Sequence, residues 1–447
     1  MNKLFVFIFF VLFYSSLLSQ FISSVGTCVS TVKQLYADSI TNQLYVAGFA
    51  IGSINNNDTL VDCVVAWDNQ QWSALKGANH TLKNGNHCYS LTRFKNELYI
   101  AGELSMPANG EYYGLMKWKN ADWIPVKDST FPNRTFNYLL STDSLLYIGG
   151  QFDTIAGIVA HNVATFDGTN YATFPDYGDS FSSIECMELY NNELYIGGNI
   201  VCPQSSHMQD IIRWNGSQWA SLGNGLSGLQ SYISCMTTFE GKLIVGGYMK
   251  SSLGDPGNGC AAWNGTDWIS MNVWAANGTG VVRSLTVYRN DLYAVAEFNL
   301  GGAGTSALFK WKGTYWEQVV EIGGGTNQPR SLVVWNDDIY IGGVFNVAGI
   351  QHQGIIKYNA TVGISQAIPF KGINIYPNPT ENQLYISFTD KISGCNMDII
   401  DIRGNSILST EIHNKSIIID ISHWQSGVYY VVIDSNGQKY CSKFVKK

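Results

Sequence analysis

Leu194-Tyr195-Ile196-Gly197-Gly198 decides the fold, because the same string of apolar, aromatic and paired small residues recurs along the chain. It stands also as Leu44-Tyr45-Val46-Ala47-Gly48, Leu98-Tyr99-Ile100-Ala101-Gly102, Leu146-Tyr147-Ile148-Gly149-Gly150, Leu243-Ile244-Val245-Gly246-Gly247, Leu292-Tyr293-Ala294-Val295-Ala296 and Ile339-Tyr340-Ile341-Gly342-Gly343. Successive starts lie 54, 48, 48, 49, 49 and 47 residues apart, a period that signals a repeat architecture.

Each copy follows one plan. An apolar stretch such as Ile184 to Tyr190 precedes the string, and a polar turn such as Asn191-Asn192-Glu193 leads into it, which is a hairpin signal. A third strand then ends on one aromatic and a fourth opens on another, five residues later: Trp67/Trp72, Trp118/Trp123, Phe166/Tyr171, Trp214/Trp219, Trp263/Trp268 and Trp311/Trp316. Four strands per unit make a propeller blade, so the expected fold is all-β, a seven-bladed β-propeller followed by a small β-sandwich. Paired glycines admit close strand approach, and the aromatics supply apolar area between sheets. The small residue eight positions before the key residue, as Ser90, Cys186, Cys235, Ser284 and Ser331, reads as packing in a crowded strand near the axis, not as a set of nucleophiles.

Apolar residues, a Gly-Gly pair and two spaced aromatics resemble the kelch repeat over roughly Val32 to Phe370. The sixth copy departs from it with Val295-Ala296, and the seventh has no second aromatic after Tyr358. The seventh blade is therefore expected to close irregularly, with help from the segment Cys28 to Gln34. The variant is also similar to extracellular repeats of fungal cell-polarity markers, an adhesion-type setting.

Composition agrees with short strands and tight turns. Charged residues make up only 14% of the 447, whereas Gly (45), Tyr (25) and Trp (13) are plentiful. A net charge of −7 without long basic runs leaves no electrostatic footprint for nucleic acid or an anionic membrane surface. Lys3 followed by the apolar run Leu4 to Tyr14 and small residues reads as a signal peptide over residues 1–26, with cleavage after Ser19 or after Gly26 both fitting. No later stretch is long and apolar enough to span a membrane once the signal is removed. Nine cysteines at irregular spacing form no disulfide framework; Cys395 and Cys441 could pair or stay as two thiols.

The repeat stops near Phe370, and residues 371–447 form a second domain after the propeller at 27–370. It opens on Ile375-Tyr376-Pro377-Asn378-Pro379, passes through Asp401-Ile402-Arg403-Gly404 and Gly427-Val428-Tyr429, and ends on Lys443-Phe444-Val445-Lys446-Lys447. Alternating short strands with turns such as Asn436-Gly437 read as an Ig-like β-sandwich. The order of these motifs closely resembles the type A C-terminal sorting domain of the type IX secretion system. The resemblance implies a Bacteroidota source, the type IX machinery as partner, and an extracellular or surface location. The residues carrying it are Tyr376, Pro377, Asn378, Pro379, Asp401, Gly404, Gly427, Val428, Tyr429 and Lys443. Asn215-Gly216-Ser217 is then a turn, not a glycosylation site.

No catalytic constellation, metal site or cofactor motif stands out. His80, His87, His161, His207 and His352 fall in apparent loops without a spacing that would gather them. A glycoside hydrolase needs two carboxylates about 5–10 Å apart. Glu103, Asp153 and Glu297 are the candidates, read as solvated loop carboxylates. The expected function is non-catalytic binding of an extracellular glycan or protein. The rival is a secreted carbohydrate-active enzyme with its site at one rim. Paired carboxylates or several histidines at the axis mouth would favour the enzyme.

Overall fold

The computed structural model describes residues 22–24, 31–49, 63–75, 86–105, 111–126, 135–178, 182–202, 208–226, 231–250, 254–273, 279–299, 305–324, 328–344, 354–358, 373–388, 395–401, 406–435 and 438–447. Among these, every regular element is a β-strand. Two compact units divide the chain, Met1–Tyr358 and Asn359–Lys447.

In the larger unit each of the first six repeats forms a four-stranded antiparallel ladder in chain order. The first strand, Ser183–Tyr190 in the fourth repeat, pairs with Glu193–Asn199, which carries the key string; Ile211–Trp214 and Trp219–Ala220 complete the sheet. The turns between first and second strands suit this. Asn191 and Asn192 both have positive φ (51° and 62°), as do Lys95/Asn96, Arg289/Asn290 and Asn336/Asp337. Two consecutive left-handed residues give the turn whose twist matches a hairpin.

The spaced aromatics are direct cross-strand partners: Trp67 faces Trp72, Trp118 faces Trp123 and Trp263 faces Trp268, with ring centroids 5.0, 4.9 and 5.2 Å apart. A five-residue offset is what a four-residue loop imposes on the pair flanking it. Asn215 lies in such a loop, where its Oδ1 accepts from the backbone N–H of Ser217 and Gln218 (both 3.0 Å), an Asx turn.

The first strands contact one another in sequence: Thr31–Asp38, His87–Phe94, Thr135–Ser141, Ser183–Tyr190, Tyr232–Phe239, Thr279–Tyr288 and Gln328–Trp335, which returns to Thr31–Asp38. Two sets of hydrogen bonds stitch these neighbours. Near the inner strands, the N–H of Leu139 donates to Ser90 Oγ, that of Leu332 to Ser284 Oγ and that of Leu35 to Ser331 Oγ, each 3.0 Å. Farther out, the second aromatic donates its indole N–H to a carbonyl of the preceding repeat: Trp123 to Leu75 (2.8 Å), Trp219 to Pro175 (2.8 Å), Trp268 to Leu222 (3.0 Å) and Trp316 to Met271 (3.0 Å). The aromatics therefore join sheets.

Two expectations need correction. The seventh repeat is completed by Ile22–Ser24, which pairs antiparallel with Ile356–Tyr358; of the segment expected to help, residues 28–30 lie outside the described residues, and the rest belongs to Thr31–Asp38, the first strand of the first repeat, so the missing second aromatic belongs to a fourth strand supplied from the other end of the chain. His87 is no loop residue but opens the strand His87–Phe94.

The smaller unit stacks a three-stranded sheet of Ile373–Tyr376, Gln383–Phe388 and Ser416–Asp420 with a four-stranded sheet of Ser406–Ile412, Cys395–Asp401, Gly427–Ser435 and Gln438–Lys446. Leu384, Ile386, Met397, Ile399, Val431 and Phe444 fill the space between them. The side chains of Cys395 and Cys441, and Gly404, Asn436 and Gly437 altogether, lie outside the described residues.

Candidate functional site

Every first strand carries a β-bulge at the same place, between the residues that face the two small residues of the key string. The unpaired residues are Lys33, Tyr89, Asn137, Glu185, Ser234, Arg283 and Arg330. A bulge re-aims one side chain out of the ladder. Here the seven converge, one per repeat, on a cavity of about 270 Å³. The glycines explain how. A Cβ on Gly198 would stand 2.0 Å from the carbonyl oxygen of Ser183, and one on Gly102 2.0 Å from that of His87, so the second small residue leaves room for the backbone that the bulge folds back.

The ionic state of the cavity is uneven. Arg283 is neutralised by Glu297, with Nε to Oε1 at 3.0 Å and Nη2 to Oε2 at 3.2 Å, and also reaches Tyr232 Oη at 3.3 Å. Glu185 accepts from Ser183 Oγ (2.7 Å) and Asn137 Nδ2 (3.3 Å). Glu103 accepts from Tyr89 Oη (3.2 Å) and lies 3.4 Å from His87 Nδ1. Glu103 and Glu297 thus stand on strands, each tied to a neighbour, and are not the solvated loop carboxylates expected; Asp153 is exposed on its loop. His161 is 3.6 Å from Asp176, whereas His80, His207 and His352 lie outside the described residues.

Two carboxyls are pushed up to about 7 by burial, Glu188 and Asp210, but neither lines the cavity. Cys235 does line it, and burial raises its thiol to about 12, which keeps it protonated and unreactive at neutral pH. The bulged residues do not show in the repeat because their side chains change from copy to copy, only the sixth and seventh sharing an Arg. Only the offset from the key string could have found them.

In the smaller unit the motifs meet on the last strand. Asn378 grips its backbone at two points: Nδ2 donates to the Lys443 carbonyl and Oδ1 accepts from the Val445 N–H, both 3.0 Å. Thr380 continues the clasp, its N–H donating to Val445 O (2.9 Å) and its carbonyl accepting from Lys447 N–H (2.8 Å). From the other side Gly427, Val428 and Tyr429 pair with Lys446, Val445 and Phe444. Tyr429 stacks on Phe444 at 5.5 Å and donates its hydroxyl to Gln425 O, while Asp401 faces Tyr429 across the next ladder. Tyr376 stacks on Tyr385 at 5.7 Å, and Pro377 and Pro379 are exposed beside it. Asn378→Ala removes both side-chain bonds, and we expect the amide of Val445 to exchange about 5-fold faster by hydrogen exchange, the effect of ~1 kcal/mol. Unchanged protection would show that the clasp rests on Thr380 alone.

Residues 374–447 match the family of secretion system C-terminal sorting domains. The chain therefore carries such a domain, which indicates export by the type IX route to the extracellular space or the cell surface. No curated protein matches the chain in sequence. Among solved structures it is similar to PorZ, a surface component of the type IX secretion system of Porphyromonas gingivalis, at 13% identity and TM-score 0.49 over 94% of this chain, which spans 59% of that one. The WD40 repeats of RRP9 (11% identity, TM-score 0.47) align with 76% of this chain and 98% of theirs. A polysaccharide lyase of family PL25, an ulvan lyase, aligns with 75% of this chain and 94% of its own at 10% identity and TM-score 0.42.

Proposed function

We propose that the larger unit is a seven-bladed, kelch-like β-propeller that binds an extracellular glycan or protein in its axial cavity without transforming it, and that the smaller, Ig-like unit engages the type IX machinery. The cyclic contact of seven first strands supports the propeller. The observation that carries the binding reading is the lining of the cavity: seven bulged residues of seven different repeats, with Glu185 as the single carboxylate among them. A glycoside hydrolase needs a second carboxylate about 5–10 Å away, free to act as acid or nucleophile. Glu297 is paired with Arg283 and Glu103 accepts from Tyr89, and neither of them lines the cavity beside Glu185. The full-length chain applied to a glycan array should bind without releasing reducing ends, and Asn137→Trp, which fills the mouth, should abolish binding. Turnover of the bound glycan would replace this reading with the enzyme.

Export is expected to begin with cleavage of an N-terminal signal. The pairing of Ile22–Ser24 with Ile356–Tyr358 supports cleavage after Ser19, because cleavage after Gly26 would discard the closing strand. Mass spectrometry of the secreted protein should therefore find Gln20 at its N-terminus. A start at Thr27 would mean that the seventh sheet is finished with three strands.

A further inference from the structure

Three of the seven bulged residues are cations, and they are not equivalent. Arg283 has its charge met by the two oxygens of Glu297. Lys33 and Arg330 have no carboxylate within ion-pair distance among the described residues. They sit on neighbouring first strands, joined by the bond from Leu35 N–H to Ser331 Oγ. Arg330 donates from Nη2 to the neutral Gln328 Oε1 at 2.6 Å, while its Nε is buried without a partner. Lys33 Nζ lies over the rings of Phe49 and Tyr89, 4.9 and 5.4 Å from their centroids.

Against these two cations the cavity sets one carboxylate, Glu185, already occupied by Ser183 and Asn137. Two positive charges and one negative leave a net of +1. Burial, then the proximity of Arg330, push the Lys33 ammonium down to about 8 against the opposing pull of Glu185, and burial followed by Arg283 lowers Arg330 against that of Glu297. Two like charges, partly stripped of water and repelling one another, are costly; an oxyanion between them removes the repulsion and supplies the missing acceptor for Nε. Displacing Gln328 Oε1 from Nη2 opens the Nε edge of Arg330, which then matches the two oxygens of a carboxylate or sulfate.

The rest of the lining describes what carries the oxyanion. A cavity of about 270 Å³ admits a body the size of one sugar ring and little more. Gln34, Asn137 and Ser234 offer neutral polar groups suited to hydroxyls, and Tyr89 and Tyr138 offer ring surface. We propose that the axial cavity takes a sugar-sized acid, with its carboxylate or sulfate held between Lys33 and the Nε edge of Arg330. The proposal rests on the binding function above and names its ligand class.

The test uses the full-length chain and three probes by isothermal titration: D-glucuronate, glucose 6-sulfate and glucose. At least one acid is expected to bind at least 10-fold more tightly than glucose, and the tighter of the two identifies the oxyanion. Arg330→Gln and Lys33→Gln, neither of which breaks an ion pair, should each weaken that acid about 10-fold, a loss of ~1.4 kcal/mol. Arg330→Lys should recover only part of it, since an ammonium cannot present two parallel donors. Equal binding of glucose and both acids, or wild-type affinity in both Gln variants, would overturn the proposal. A neutral glycan that binds and is blocked by Asn137→Trp would overturn the acid specificity and leave the binding function standing. Cleavage of an array ligand would remove the binding function, while the two Gln variants would still decide the oxyanion contact.

Discussion

Gly198→Val is expected to leave the larger unit unable to fold, or to destabilise it by more than about 3 kcal/mol, beyond the usual cost of one overpacked side chain. A Cβ at this position would lie 2.0 Å from Ser183 O, 2.9 Å from Glu185 N and 3.1 Å from Ile184 Cα. All three are backbone atoms of one bulge, so no rotamer change relieves the clash. The bulge must open, which withdraws Glu185 from the cavity and breaks the ladder between Ile184 and Gly198. Gly216→Ala is the control: its φ is +96°, but nothing lies within 4 Å of a Cβ there, so only local strain of roughly 1–2 kcal/mol is expected. Urea unfolding followed by tryptophan fluorescence separates the two. Equal midpoints for both variants would show that the bulge yields, and that the second glycine of the string is dispensable.

The same contact explains what could be read ahead of the structure. A carbonyl crowds the second small residue in several copies, at Gly48, Gly102, Gly150, Gly198, Gly247 and Gly343, so that position repeats as glycine and the string is conspicuous. The spaced aromatics are conspicuous for an equally local reason, a loop of fixed length between paired positions. Ile22–Ser24 was not legible. Three residues make too short a strand for any pattern, and they lie inside a stretch whose apolar and small residues read as an export signal. Ser406–Ile412 was passed over as well, because its residues share neither the key string nor the sorting motifs.

The candidate site was less legible than the fold. What a bulge requires is a backbone shape, and it leaves the side chain unconstrained; hence Lys, Tyr, Asn, Glu, Ser, Arg and Arg occupy one structural position. Chemistry that varies from copy to copy does not appear as a repeat. The neighbouring small residues were legible because Ser90, Ser284 and Ser331 each accept the same N–H from the next sheet. The proposed binding residues sit one position away from the pattern that identifies the fold.

Trp123→Ala carries the second large effect. Trp123 is fully buried, packs on Trp118 at 4.9 Å, and belongs to a cluster with Tyr45, Val64, Leu91 and Ile100 that spans the first two repeats. Removing a buried tryptophan costs about 3–5 kcal/mol. The Leu75 carbonyl, left without its indole donor, adds to that. Trp123→Phe separates the two contributions in part: it keeps one aromatic ring in the cluster but loses the N–H and the rest of the indole, so a loss of roughly 1–3 kcal/mol is expected. Trp268→Ala provides the comparison, since that ring is half-buried while its bond to Leu222 is of the same kind. The order expected in urea is therefore Trp123→Ala least stable, then Trp268→Ala, with Trp123→Phe nearest the wild type. If Trp123→Ala and Trp123→Phe lost the same amount, the hydrogen bond and not the packed ring would join the sheets. If Trp268→Ala cost nothing and instead impaired glycan binding, that ring would be a stacking platform, and the aromatic positions would have to be divided between core and ligand contact.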